Sequence, residues 1–147
     1  MKLSTRTRYG MRALLELALA YKAVPLQIKV IAERQNISNK YLEQLVAMLK
    51  TAGLVRSIRG PHGGYLLAAA PGDIKLSDVF RTLEGPVLTV ECVEYENACP
   101  SHADCATRKL WIQMNDAILG VLENKTLQDL VAMAEKEKQG MSYQIAL

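Results

Sequence analysis

The stretch from Ser38 to Leu67 restricts the possible folds more than any other. Ser38 suits a helix N-cap, because its hydroxyl can accept a hydrogen bond from an otherwise orphaned amide of the next turn. Beyond it Leu42, Leu45, Val46 and Leu49 recur at helical spacing, while Asn39, Lys40, Glu43, Gln44 and Lys50 make a polar face. Gly53 is placed to stop this helix in a left-handed conformation. Leu54-Val55-Arg56-Ser57-Ile58 then reads as a strand, Arg59-Gly60-Pro61-His62-Gly63-Gly64 as a turn, and Tyr65-Leu66-Leu67 as a second short strand.

Two more helices precede this unit. Tyr9, Ala13, Leu14, Leu17, Ala18 and Tyr21 form one apolar stripe, which predicts a helix from Thr5 or Thr7 to Lys22. After Pro25 a short helix is expected over Leu26 to Gln35, turning Ile28, Ile31 and Ala32 inward, with Asn36 ending it and Ile37 plugging the core. Three helices followed by a hairpin is the order of a winged helix-turn-helix, in which the third helix enters the major groove of DNA. The fold class expected is therefore mainly α, a winged helix-turn-helix domain over residues 1–70 plus a long C-terminal dimerisation helix.

Pro71-Gly72 marks the next boundary, and Ser77 is expected to cap a short helix through Leu83 that Gly85-Pro86 stops. Glu91 to Cys105 lacks periodicity and reads as a loop, so residues 71–105 form a connecting helix and cysteine loop. Ala106 to Glu123 is a long helix with Leu110, Met114, Ala117, Ile118, Val121 and Leu122 on one side. Thr126 to Lys138 is a further amphipathic helix, which gives a dimerisation and packing unit over 106–139. A frayed tail is expected over 140–147.

Charge is unevenly distributed. Residues 1–70 carry eleven Lys/Arg against Glu16, Glu33 and Glu43, a net +8, whereas residues 71–147 are net −5. A basic N-terminal half suits a polyanion, because each neutralised phosphate releases condensed counterions. No apolar run approaches the ~18 residues that span a bilayer, and Met1-Lys2-Leu3-Ser4-Thr5-Arg6 contains no signal-peptide core. A cytoplasmic protein with no membrane partner and no small-molecule substrate is expected. Two histidines, no nucleophile motif and no phosphate-binding loop argue against an enzyme.

The DNA-contacting set expected is Ser38, Asn39, Lys40, Tyr41, Glu43 and Gln44 from the third helix, with Arg59 and Gly60 from the hairpin. Glu43 can accept from a cytosine amino group, Gln44 can pair with adenine, and Lys40 can reach guanine or phosphate. Arg59 precedes a tip without bulky side chains and can place a cation in a narrow minor groove.

Cys92, Cys99 and Cys105 are separated by six and five residues and are the chain's only cysteines. Three thiols within fourteen residues are soft donors for one metal site. An odd count in a reducing compartment does not suit a disulfide framework. Without a Cys-x-x-Cys pair the spacing is no zinc ribbon, and the residues by themselves leave zinc and iron–sulfur both open.

The chain resembles the Rrf2 family, the IscR, NsrR and CymR group of winged-helix regulators. The resemblance lies in Leu3-Ser4-Thr5 to Tyr9 with Ala13-Leu14, Ile31-Ala32-Glu33-Arg34, Ile37-Ser38 and Tyr41-Leu42-Glu43-Gln44-Leu45. It continues through Gly53-Leu54-Val55, Arg59-Gly60-Pro61, Gly63-Gly64-Tyr65-Leu66-Leu67, Leu110-Trp111 and Thr126-Leu127 with Asp129-Leu130-Val131. It implies a homodimer built on the helix from Ala106, operator reading by Glu43, Gln44 and Arg59, and double-stranded operator DNA as partner.

Cluster-binding members carry three cysteines in this loop, whereas CymR-type members generally lack them. The resemblance is therefore nearest to the IscR-like iron–sulfur branch, and it implies a 2Fe–2S cluster on Cys92, Cys99 and Cys105, with 4Fe–4S or zinc as alternatives. The chain departs from that branch in a first gap one residue longer, in Arg108 where IscR has histidine, and in His62 where IscR usually has glycine. Arg8 stands where NsrR takes an aspartate from its partner subunit. His102 is then the leading fourth ligand, with Asp104, Glu91, Glu94 and Glu96 as oxygen donors and water or an exogenous thiol as further alternatives. The function implied is a regulator that senses iron–sulfur cluster status and controls cluster-assembly genes. The alternatives are a nitric-oxide or redox-sensing repressor of NsrR type and a DNA-binding protein with structural zinc.

Overall fold

The structure, a computed structural model, describes residues 2–86 and 90–145, the side chains of Glu96 and of residues 140–145 excepted. Helix α1 (Thr5–Leu19) opens on Ser4, whose Oγ accepts from the Thr7 amide. It ends three residues before the expected Lys22, which itself adopts a left-handed φ of 68°. Helix α2 (Ile28–Gln35) starts two residues later than predicted, because Leu26 is taken into a β-bridge with Tyr65.

The stop of α2 follows from hydrogen bonding. Asn36 sits at φ 51°, a conformation its short polar side chain tolerates. The Asn36 and Ile37 amides then donate back to the Glu33 and Ala32 carbonyls at 3.3 and 2.9 Å, the paired bonds that satisfy a helix end. Helix α3 (Asn39–Thr51) begins after Ser38, whose Oγ accepts from the Tyr41 amide at 3.2 Å. The same device closes it: Gly53 at φ 74°, its amide on Lys50 and the Leu54 amide on Leu49.

Strands β1 (Val55–Ile58) and β2 (Gly64–Leu67) pair antiparallel, from Val55 opposite Leu67 to Ile58 opposite Gly64. Leu26 lies on the other side of β2, exchanging hydrogen bonds of 3.0 and 2.8 Å with Tyr65. The hairpin is thus tied to the chain just before α2. This bridge explains Gly64, and the tight turn itself explains Gly63. A Cβ on Gly64 would stand 2.5 Å from the Leu26 carbonyl oxygen, and one on Gly63 would collide with the carbonyl oxygen of Ile58.

After a 3-10 turn at Pro71–Asp73 comes α4 (Leu76–Glu84). Ser77 does not cap it, contrary to expectation: Lys75 occupies the cap position, and Ser77 lies one residue inside, buried. The Leu76 and Leu127 amides donate to the Lys125 and Ile74 carbonyls, and this cross-link begins the helix where it does. The segment read as a loop contains a short helix, α5 (Glu91–Glu94), and a 3-10 turn over Glu96–Ala98. Helix α6 (Ala106–Glu123) has its expected limits. Helix α7 (Leu127–Ile145) runs through Gly140, where a frayed tail was expected; residues 146–147 lie outside the described ones.

One core spans these elements. Leu14, Leu17, Ile31, Leu42, Val46, Leu49, Val79 and Leu83 are closed by Leu127 and Val131 of α7. Each large aliphatic side chain so buried contributes roughly 1.5–3 kcal/mol. The end of α4 is stitched to the start of α1. Ser4 Oγ donates to Glu84 Oε2 at 2.6 Å, the Thr7 hydroxyl donates to the same oxygen, and Arg6 Nε donates to the Leu83 carbonyl. The Ser4 and Thr7 hydroxyls hold the Glu84 carboxyl below the usual carboxylate range. The chain leaves for the cysteine segment from this fixed point.

Candidate DNA interface and cysteine loop

Asn39, Lys40, Glu43 and Gln44 are all exposed on α3, opposite the buried Leu42, Leu45, Val46 and Leu49. Arg59, Gly60, Pro61 and His62 are exposed at the hairpin tip. Two members of the expected set are engaged internally. The Ser38 hydroxyl caps α3, and the half-buried Tyr41 packs edge-on to Tyr9 with ring centroids 6.2 Å apart at 85°. Both contacts brace the first turn of α3.

Helix α1 braces this region through contacts that helical periodicity does not reveal. The Arg12 guanidinium lies 5.3 Å over the Tyr9 ring. Its Nε donates to Gln35 Oε1 at 2.6 Å, and Nη2 donates to the Gln35 backbone carbonyl at 3.0 Å. Gln35 in turn donates through Nε2 to Glu16 Oε1 at 2.5 Å, and Glu16 Oε2 pairs with Arg34 at 3.1 Å. Arg8 also leans on Tyr9, at 5.9 Å. The available signal was an aromatic residue flanked by arginines at i−1 and i+3 beside a helix that ends in glutamine.

Cys92, Cys99 and Cys105 are all half-exposed and unbridged. Cys105 directly precedes α6, and its thiol is held below the usual range, chiefly by the Thr107 hydroxyl at 3.1 Å. His102 Nδ1 lies 3.0 Å from the Cys99 carbonyl. Donation to a backbone carbonyl leaves Nε2 as the nitrogen able to ligate, the usual orienting arrangement for a metal-bound histidine. Arg108 holds the loop in place of a ligand, its Nε donating to the Cys92 carbonyl at 2.8 Å. Glu91, Glu94 and Asp104 are exposed, and the side chain of Glu96 lies outside the described ones.

Tested against a soft metal or cluster, the donor set fits by chemistry: three accessible thiols and an imidazole on one segment. Among the described residues no three His, Cys, Asp or Glu side chains already surround a single point. Ligation would therefore draw the loop together, coupling metal binding to local folding.

The sequence profile of the Rrf2 family, described as iron-dependent transcriptional regulators, matches residues 3–133. The chain belongs to the Rrf2 family. It is 43% identical over 145 residues to the HTH-type transcriptional regulator CymR of Bacillus subtilis, covering 99% of this chain and all of that one. The solved structure of CymR, described as the global cysteine regulator of B. subtilis, superposes with a TM-score of 0.79 at 44% identity, over 90% of this chain and 98% of that chain. IscR from T. potens gives 0.76 at 39%, over 93% and 90%.

These Rrf2 relatives are transcription regulators, not enzymes. The mainly helical winged-helix fold is shared with them. The branch expectation is corrected in one respect: similarity to CymR is at least as strong as similarity to IscR, so overall likeness does not favour the IscR branch. No helix among the described residues is long and apolar enough to cross a membrane.

Proposed function

We propose that this regulator binds operator DNA as a homodimer and that a metal cluster on Cys92, Cys99 and Cys105 sets its DNA-binding state. The observation that carries the first part is the exposed polar face of α3 (Asn39, Lys40, Glu43, Gln44), capped by Ser38 and followed by a hairpin with Arg59 at its tip. In this docking α3 lies in the major groove and Arg59 reaches the neighbouring minor groove. Arg59→Ala weakens binding to a duplex selected by the wild-type protein from a randomised library by ~1–3 kcal/mol. Glu43→Ala relaxes discrimination at one base position, because it removes an acceptor and a repulsion together. Gel-shift titrations in which both variants match wild type on selected and random duplexes would refute the docking.

Dimerisation rests on α6. Leu110, Met114 and Val121 are 49%, 43% and 57% exposed, so the apolar stripe is not consumed by α7 of the same chain. Leu3, Phe80, Ala117 and Ile118 continue it as an apolar groove. A two-fold dimer buries this surface and presents two recognition helices to a pseudo-palindrome. Sedimentation at micromolar concentration should give twice the mass of the 147-residue chain; a monomer would exclude the dimer.

The three clustered thiols and the oriented His102 imidazole favour an iron–sulfur cluster, 2Fe–2S with His102 Nε2 as fourth donor, and iron–sulfur assembly genes are the targets proposed with it. When bound, such a cluster supplies a redox-active and labile group whose presence reports cluster supply. The residues of this chain hold the thiols half-exposed, keep Cys105 inclined to ionise, and anchor the loop to α6 through Arg108. A second reading, control of cysteine metabolism, is favoured by the 43% identity over 145 residues with CymR, whose solved structure is described as that of a global cysteine regulator. Iron and sulfide content after anaerobic purification separates the two, and stoichiometric zinc in a colourless protein would instead mark a structural site.

A further inference from the structure

We infer that Arg12 is a positioning residue for operator recognition, acting through Gln35 and Tyr9 on the geometry of the helix-turn-helix and not by touching DNA. This rests on the proposed docking of α3. The turn between α2 and α3 comprises only Asn36, Ile37 and Ser38, and α1 grips the chain on both sides of it. On the near side, the Arg12 fork spans the side-chain oxygen and the backbone carbonyl of Gln35, the last residue of α2. On the far side, the Tyr9 ring under Arg12 meets Tyr41, in the first turn of α3.

One guanidinium therefore connects the end of α2 to an aromatic pair that abuts the start of α3. Any rotation of α3 about that turn must disturb either the Gln35 bonds or the Tyr9–Tyr41 contact. The reading residues Asn39, Lys40, Glu43 and Gln44 lie within two turns of Tyr41, so a small change of angle there displaces them against base edges. Sites of this kind work only when supporting side chains hold their geometry closely. Arg12 is exposed, and its bonds compete with water, so its removal is expected to affect geometry more than folding.

Lysine keeps the charge but cannot reproduce a planar fork on two acceptors, which makes R12K the decisive variant. The assay titrates the library-selected duplex and a random duplex of equal length with wild type, R12A, R12K, Q35A and R12A/Q35A, each over a range of salt. Thermal unfolding is followed in parallel, and E43A and R59A are included to check the docking itself. The expected result is that R12A, R12K and Q35A each lose about 10-fold in preference for the selected duplex, comparable to one mismatched base pair. Their salt slopes stay at the wild-type value, and the double variant is no worse than either single one, as for residues acting through one contact.

R12K binding like wild type while R12A loses about one unit of salt slope would make Arg12 a phosphate contact and overturn the inference. Additive losses in the double variant would overturn it as well. Should R12A fail to fold, R12K and Q35A carry the same comparison. Failure of the docking reads differently, as indifference to E43A and R59A.

Discussion

Gly64→Val will remove selective operator binding while leaving most of the helical core folded. A Cβ at this position would stand 2.5 Å from the carbonyl oxygen and 2.7 Å from the carbonyl carbon of Leu26. Both are backbone atoms, so no side-chain rotation relieves the overlap. The Leu26–Tyr65 hydrogen bonds at 3.0 and 2.8 Å must open, and β2 must move away from the segment leading into α2. Gly64 is also the partner of Ile58, the residue before Arg59, so the displacement reaches the cation assigned to the minor groove. Losing that contact alone costs ~1–3 kcal/mol of affinity, and overpacking costs a further ~1–3 kcal/mol of stability.

Gly72→Val is the matched control, since a Cβ there meets nothing within 4 Å. Operator titration with circular dichroism should show Gly64→Val helical and weakly binding, and Gly72→Val close to wild type in both. Wild-type affinity in Gly64→Val would mean that the hairpin is not part of the interface.

The second large effect is spectroscopic. Alanine at any one of Cys92, Cys99 or Cys105 should abolish the visible absorbance of anaerobically reconstituted protein. Three thiols are the only soft anionic donors in the chain, and loss of one leaves too few to hold an iron–sulfur core. Folding should survive each substitution, because the buried core draws nothing from the described side chains of residues 90–105. His102→Ala should shift the electron paramagnetic spectrum or bleach the protein if Nε2 is the fourth donor; an unchanged spectrum would point to a carboxylate. Full colour and full iron content in all three cysteine variants would remove the cluster from this loop.

The elements legible in the sequence are those whose limits are written locally. Ser38 caps, Asn36 and Gly53 stop, and the glycine-rich tip turns; each signal lies within a few residues of the feature that it sets. What escaped is set by partners distant in sequence. Leu26 is drawn out of α2 into an isolated β-bridge only because Tyr65 is beside it, and Ser77 does not cap α4 because Lys75 pairs with Thr126. Arg12 and Gln35 are 23 residues apart, so no periodicity reveals their contact. The tail expected from residue 140 is helical to Ile145, since one glycine inside a helix costs only about 1 kcal/mol relative to alanine and good helix formers surround it.

Of the candidate site, the exposed face of α3 and the tip cation were readable from pattern and charge. The edge-on packing of Tyr41 against Tyr9 was not. Nor was the change of role at position 108, where a side chain unable to ligate anchors the cysteine loop to α6 instead.

If the cysteine loop is the switch, its state alters how α3 and the hairpin engage DNA. A ligand shifts such an equilibrium only by its differing affinity for the two states. The most direct measurement is an anaerobic titration of library-selected duplexes with reconstituted wild type and with the Cys92→Ala/Cys99→Ala/Cys105→Ala variant, over a range of salt. Different operator preferences with similar salt slopes are expected, since the surface proposed to contact phosphates is common to both. Equal affinity and equal salt dependence on every duplex would contradict it.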